Sequence, residues 1–183
     1  MRIDPNFHVI VGAEFIESPN YDERPDDADI DLIVVHNISL PPNEFGGGYV
    51  KELFQNTLDP SIHPYFKEIK GMEVSSHLFI ERSGKLIQFV PFNQRAWHAG
   101  ASCYEGRECC NDFSIGIELE GADNIDYTDE QYRVLQAVIL CLQMTYSGLN
   151  ANGHVVGHCD IAPGRKTDPG PAFDWNRLSN FLS

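Results

Sequence analysis

The chain has 183 residues, of which 42% are hydrophobic and 22% charged, a length and composition typical of one folded domain, which we expect over residues 1–183. The formal net charge of −14 argues against DNA or RNA as a partner, because nucleic-acid binders need a basic face. Residues 1–18 show no basic region followed by a long apolar stretch, so we expect no export signal, and the apolar runs are too short to cross a membrane.

The first predicted strand lies at residues 31–35 (DLIVV), an apolar and β-branched run that we expect to be buried and to end at His36. Prolines at 41–42 and glycines at 46–48 predict a long irregular loop after it, where functional groups are often mounted. Apolar residues at 50, 53 and 54 then follow helical spacing.

Two further strands, at residues 76–81 and 86–90, flank turn residues at 83–84 and predict a β-hairpin. Residues 113–119 (FSIGIEL) alternate between apolar and small or polar side chains, which predicts another strand. This alternation places Glu118 on the less apolar side of that strand.

The clearest helix begins at Thr128, with Gln131 in capping-box position. Its apolar stripe runs to Tyr146, and Gly148 is the expected stop. A strand over residues 154–158 (HVVGH), a segment rich in glycine and proline, and a short helix from about residue 174 follow. Because strands and helices alternate, we predict a mixed α/β (α+β) fold, a central mixed β-sheet flanked by helices.

Three potential metal ligands lie beside predicted strand ends: His36, His158 and Asp168. Imidazole nitrogen and carboxylate oxygen suit zinc, and a catalytic zinc keeps three protein ligands. On local grounds each residue also has a structural explanation. A histidine at a strand end is commonly a hydrogen-bonded structural residue, and Asp168 precedes Pro169-Gly170 as a turn residue would.

Four segments in order resemble the N-acetylmuramoyl-L-alanine amidase and peptidoglycan-recognition superfamily, most closely its cytoplasmic AmpD-type branch of anhydro-N-acetylmuramyl-L-alanine amidases. They are VVHNISLPPNEFGGGYV (34–50), RAWHAGAS (95–102), NDFSIGIELEG (111–121) and GHCDIAPGRKTDPGP (157–171). The resemblance covers nearly the whole chain, from about residue 18 to residue 175. It implies a peptidoglycan-recognition or amidase-like fold.

The resemblance implies that His36, His158 and Asp168 bind Zn²⁺ and that Asp168, where distant relatives have cysteine, places the chain on the AmpD-type branch. It further implies that Glu118 is the general acid/base and that Lys166 stabilises the oxyanion. Amide hydrolysis requires groups of these two types.

Each catalytic assignment has an alternative on local grounds. Glu118 could be a solvated strand residue and Lys166 a solvated loop charge, and Glu120 could be mistaken for the base because it shares a strand face with Glu118. His77 and His98 recur in family motifs, and for both we expect a structural role or support of a ligand.

The predicted substrate contacts are Asn37, Trp97 and Arg107. A tryptophan face suits packing against a sugar ring, although Trp97 could equally belong to the core. Some close relatives carry arginine where this chain has Cys109. If that arginine holds a stem-peptide carboxylate, we expect another basic residue, Arg107, to bind it here.

The function implied by the resemblance is hydrolysis of the amide between the anhydro-muramyl lactyl group and L-alanine of muropeptides during cell-wall recycling. In the family this activity also keeps β-lactamase induction low. We expect a cytoplasmic monomer without membrane partners, and the odd number of cysteines without a C-x-x-C pair suits that compartment. The alternatives are a binding module without catalysis and a lytic amidase that acts on intact peptidoglycan.

Overall fold

The computed structural model describes residues 1–26, 28–149 and 154–179. Within them the strands are β1 Glu14–Phe15, β2 Tyr21–Glu23, β3 Leu32–Ile38, β4 Leu78–Ile80, β5 Leu86–Gln88, β6 Gln94–Ala96, β7 Cys103–Tyr104, β8 Arg107–Glu108, β9 Ser114–Glu120 and β10 Val155–Gly157. The helices are α1 Tyr49–Phe54, α2 Pro64–Glu68, α3 Asp129–Thr145, α4 His158–Ile161 and α5 Asn176–Ser179, with 3₁₀ turns at Cys110–Asp112 and Ser147–Leu149.

The central sheet has six strands in the order β1-β5-β4-β9-β3-β10. Strand β9 pairs in parallel with both β3 and β4, whereas β4 and β5 form the predicted antiparallel hairpin. Strands β2 and β6, and β7 and β8, form two small ribbons. The mixed sheet flanked by helices confirms the predicted fold class.

Strand β3 is longer than predicted. The apolar run suggested an end at His36, but the strand continues to Ile38, because its parallel pairing with β9 extends to Glu120. His36 and Asn37 are therefore held by the sheet itself. Within the pairing, His36 is the register partner of Glu118.

Helix α3 begins as the sequence predicts. Thr128 accepts a hydrogen bond from the backbone N–H of Gln131, and the Gln131 side chain accepts one from the backbone of Thr128. The helix ends earlier than predicted, at Thr145, and Gly148 lies in the following 3₁₀ turn. No helix in the described parts of the chain has the length and apolar character needed to span a bilayer.

The two faces of the sheet are covered by different groups, because side chains alternate along each strand. Ile33 and Val35 of β3 pack against the apolar stripe of α3, whereas Leu32 and Val34 join a cluster on the opposite face. All of β9 is buried on both sides. Polar side chains of β9 on the face away from α3 are consequently removed from bulk water.

Candidate metal and catalytic site

The three predicted metal ligands converge. His36 lies on β3, His158 is the first residue of α4 directly after the neighbouring strand β10, and Asp168 lies in the loop beyond α4. The two Nδ1 atoms are 2.9 Å apart, and Asp168 Oδ2 lies 3.2 Å from His36 Nδ1 and 3.0 Å from His158 Nδ1. Parallel pairing of β10 with β3 brings together residues that are distant in sequence.

Hydrogen bonds on the far side of each ring fix how the histidines face this cluster. His158 Nε2 lies 3.1 Å from the carbonyl oxygen of Ala99, and His36 Nε2 lies 2.9 Å from His98 Nδ1. A carbonyl oxygen only accepts, so His158 Nε2 carries the proton and its Nδ1 presents a lone pair. Ring support of this kind is typical of histidines that bind metal.

Burial sets the charge of the cluster. It lowers the pKa of His36 to about 4, only partly opposed by the nearby carboxylate of Asp168, so His36 is neutral at pH 7. Burial disfavours the charge on Asp168, yet the adjacent imidazoles of His158 and His36 hold the pKa of its carboxyl well below the usual range. A carboxylate beside two imidazole rings is a donor set for a cation.

Glu118 extends this cluster along the neighbouring strand. It faces away from α3, as the alternation predicted, but it is only 8% exposed, so the alternative of a solvated strand residue is wrong. Its Oε2 atom has no hydrogen-bond partner among the described residues. Burial raises the pKa of Glu118 well above its usual value, and the nearby Asp168 adds to this while Lys166 opposes it. A buried carboxyl with a free oxygen is suited to exchange protons with a ligand.

Glu120 has a different role from Glu118, although it lies two residues further along the same strand. Its Oε1 accepts a hydrogen bond from the backbone N–H of Gly46 (2.6 Å), and its Oε2 accepts one from the backbone N–H of Arg82 (2.9 Å). Both oxygens therefore stabilise neighbouring loops. The structure separates the two glutamates, which the sequence alone left ambiguous.

A cavity of about 650 Å³ opens beside the cluster. Its polar wall contains the three candidate ligands together with Glu118, Lys166, Asn37, Asp123, Asn124 and Thr167. Apolar side chains from α1, α2 and adjoining loops also line it: Leu40, Leu53, Phe54, Tyr65, Ile69, Met72 and Val74. The cavity can accept a ligand that has both polar and apolar faces.

The N-acetylmuramoyl-L-alanine amidase family model (Amidase_2) matches residues 26–171 of the chain. The chain belongs to this amidase family. It is 58% identical over 174 residues to the 1,6-anhydro-N-acetylmuramyl-L-alanine amidase AmpD of Escherichia coli, which covers 95% of this chain and 94% of that protein. The corresponding protein of Haemophilus influenzae is 56% identical over 169 residues, 92% of this chain and 91% of that protein.

Solved structures agree with this assignment. The crystal structure of a selenomethionine AmpD derivative superimposes with a TM-score of 0.95 at 52% identity over the whole of both chains. The amidase AmiD of E. coli, in complex with the substrate anhydro-N-acetylmuramic acid-L-Ala-D-γ-Glu-L-Lys, gives a TM-score of 0.61 at 26% identity, over 88% of this chain and 65% of that one. The predicted family, its AmpD-type branch and the enzymatic class are confirmed.

The amidase does not bring all of the predicted substrate contacts to the cavity. Asn37 lines it and donates hydrogen bonds to Asp123 Oδ1 (2.9 Å) and to the carbonyl oxygen of Pro169 (3.1 Å). Trp97 is half-buried and is absent from the residues that line the cavity. Arg107 does not line the cavity either. Its Nη1 donates a hydrogen bond to Asp31 Oδ2 at 2.5 Å.

Lys166 lies on the exposed loop that carries Asp168, and its side chain lines the cavity. Among the described residues of the amidase it forms no salt bridge. Lys166 is therefore a solvated loop charge, as its alternative interpretation suggested, and its side chain is still positioned to contact a ligand in the cavity.

Several residues of the amidase site escaped sequence reasoning. Ser114 and Gly116 lie on β9 beneath His98, and a Cβ at Gly116 would lie 2.4 Å from His98 Cγ. Arg24 is half-buried nearby and donates to backbone carbonyls of residues 92, 111, 112 and 114. A glycine inside a β-branched strand was the available signal for Gly116, because it often marks a close approach. Arg24 offers no local signal.

Proposed function

We propose that this chain is a single zinc amidase domain, residues 1–183, that hydrolyses the amide between the 1,6-anhydro-N-acetylmuramyl lactyl group and L-alanine of muropeptides. The names of the E. coli and H. influenzae relatives support this substrate, as does the substrate bound to AmiD. The observation that carries the proposal is the convergence of His36, His158 and Asp168 beside the free oxygen of Glu118.

The donor set fits zinc. Tetrahedral zinc with bonds of about 2.0–2.1 Å requires ligand atoms about 3.3 Å apart, and the three candidate atoms are 2.9, 3.0 and 3.2 Å apart. His158 presents a lone pair, and Asp168 holds a negative charge. Lone pairs that converge in a buried place repel one another unless a cation lies between them. We therefore assign the three residues to one Zn²⁺.

A bound zinc would polarise the substrate carbonyl and lower the pKa of a water molecule, from about 15.7 towards about 7 in favourable sites. Glu118 accepts the proton of the attacking water, because its side chain lines the cavity and its Oε2 has no hydrogen-bond partner among the described residues. The same carboxyl then delivers that proton to the departing amine of L-alanine. The ammonium group of Lys166 stabilises the negative charge that develops on the carbonyl oxygen.

For substrate binding we propose that Asn37 contacts the ligand directly, since it lines the polar wall. Its NH₂ group already has two acceptors, which leaves its carbonyl oxygen to accept from the substrate. Trp97 and Arg107 stay predictions as substrate contacts. Both would have to reach a substrate that extends beyond the cavity.

We propose a cytoplasmic monomer that acts in cell-wall recycling and, by removing muropeptides, lowers β-lactamase induction where that circuit exists. Two alternatives remain as outcomes of the tests, a muropeptide-binding module without catalysis and a lytic amidase for intact wall. The complete donor set argues against the first, because such modules typically lack a ligand.

The test combines metal analysis with product analysis. We expect about one zinc per chain, loss of activity on chelation and its return with added zinc. Soluble anhydro-muropeptide should be cleaved to free peptide much faster than intact sacculi. Turnover by protein shown to contain no metal would contradict the zinc mechanism, binding without any cleavage would favour the module, and equal rates on both substrates would favour the lytic amidase.

A further inference from the structure

A chain of hydrogen bonds leads from the candidate metal site into the core. His36 Nε2 lies 2.9 Å from His98 Nδ1, and His98 Nε2 lies 3.2 Å from Ser114 Oγ. Ser114 Oγ lies 2.5 Å from the carbonyl oxygen of Cys110. His36, His98 and Ser114 are all buried, so water does not compete for these bonds.

The carbonyl oxygen of Cys110, at the end of this series of hydrogen bonds, determines which atom donates in each bond. A carbonyl oxygen only accepts, so Ser114 gives its single proton to Cys110 and must accept from His98. His98 then carries its proton on Nε2, and its Nδ1 accepts from His36 Nε2–H. His36 Nδ1 is thereby left with a free lone pair, on the side that faces His158 and Asp168. If Ser114 donated to His98 instead, it would lose its hydrogen bond to the Cys110 carbonyl, which is the shorter of its two contacts.

The site is built to hold His98 in this orientation. The backbone N–H groups of His98 and Ala99 both donate to Asn111 Oδ1, at 3.1 and 2.8 Å. Gly116 permits the ring to lie against β9, because any side chain there would overlap it. These contacts hold the backbone of His98 and leave room for its ring beside β9 without a metal.

We propose that Ser114 and His98 are positioning residues that hold His36 as the Nε2–H tautomer, ready to bind metal through Nδ1. The inference rests on the zinc site proposed above. It goes beyond that site because it assigns control over metal affinity to Ser114, a buried serine that contacts neither the metal nor the substrate. Loss of such an outer partner typically weakens metal binding about 10- to 100-fold.

The test compares Ser114→Ala with Ser76→Ala. Ser76 is a matched control, since it is also fully buried and its hydroxyl donates to a backbone carbonyl, that of Leu78, at 2.7 Å. Chelator competition should show zinc affinity about 10- to 100-fold weaker in Ser114→Ala and unchanged in Ser76→Ala. At saturating zinc, Ser114→Ala should regain most of its kcat. Equal affinity in the two variants would overturn the inference.

Two further measurements separate this inference from the zinc mechanism. Nitrogen-15 NMR of the metal-free wild type should find His98 protonated on Nε2, and protonation on Nδ1 would overturn the inference whether or not the protein uses zinc. His98→Asn, which keeps an acceptor near the Nδ1 position, should retain more zinc affinity than His98→Ala; equal loss would count against the inference. Failure of the wild type to bind zinc would instead refute the proposed function.

Discussion

Replacing Glu118 by glutamine should abolish most turnover and also stabilise the protein. Glutamine preserves the shape of the side chain but cannot accept a proton at neutral pH. A positioned general base contributes about 10²- to 10⁴-fold in rate, which corresponds to about 2.7 to 5.4 kcal/mol in the activation barrier. The loss should appear in kcat, with KM and zinc content little changed, in assays on anhydro-muropeptide.

The gain in stability follows from the buried oxygen that lacks a partner. Because burial raises the pKa of Glu118 in the folded protein, its contribution to stability is present at low pH and is lost as the pH rises through that pKa. Glutamine does not titrate and avoids this loss. Removal of an unpaired buried charge is worth about 1–3 kcal/mol, or about 2 to 12 °C in Tm for a chain of this size.

The measurement is thermal unfolding of metal-free protein at pH 5 and pH 8, where the advantage of Glu118→Gln should be larger at pH 8. Glu120→Gln is the control with the opposite signature. Both of its carboxylate oxygens accept backbone hydrogen bonds, so glutamine should lower stability by about 1–3 kcal/mol while kcat is retained. An inactive Glu120→Gln beside a nearly normal Glu118→Gln would refute the assignment of the base, and a lower Tm for Glu118→Gln would refute the argument from burial.

Three other changes should have separable effects. Asp168→Asn removes the anionic candidate ligand, so chelator competition should show zinc affinity reduced by more than about 100-fold, beyond the loss of an outer partner; unchanged affinity would remove Asp168 from the site. Arg24→Met leaves four backbone carbonyls without the donors that now lie 2.8–3.2 Å away, and urea unfolding should show a loss of at least about 3 kcal/mol; a loss under 1 kcal/mol would contradict this. Thr128→Ala removes the cap of α3 and should cost about 1 kcal/mol in the same assay, with zinc affinity unchanged.

The sequence alone determined those features that depend on neighbours along the chain. The start of α3 was predictable because Thr128 and Gln131 satisfy each other's backbone groups within one turn. The hairpin of β4 and β5 was predictable from turn residues between two apolar runs. The candidate ligands and Glu118 came from long motifs that resemble a family, and local chemistry alone left each of them with a structural alternative.

Tertiary structure decided what depends on residues far apart in sequence. The parallel pairing of β3 with β9 set the end of β3 and placed His36 beside Glu118, and no local pattern encodes such a register. Covering both faces of β9 buried Glu118 and raised its pKa, whereas its alternating sequence suggested an open face. Which atoms donate and which accept in the hydrogen bonds from Ser114 to His36 depends on one backbone carbonyl, that of Cys110. The proton positions of a buried site follow from the geometry of the acceptors around it, which exists only once the chain has folded.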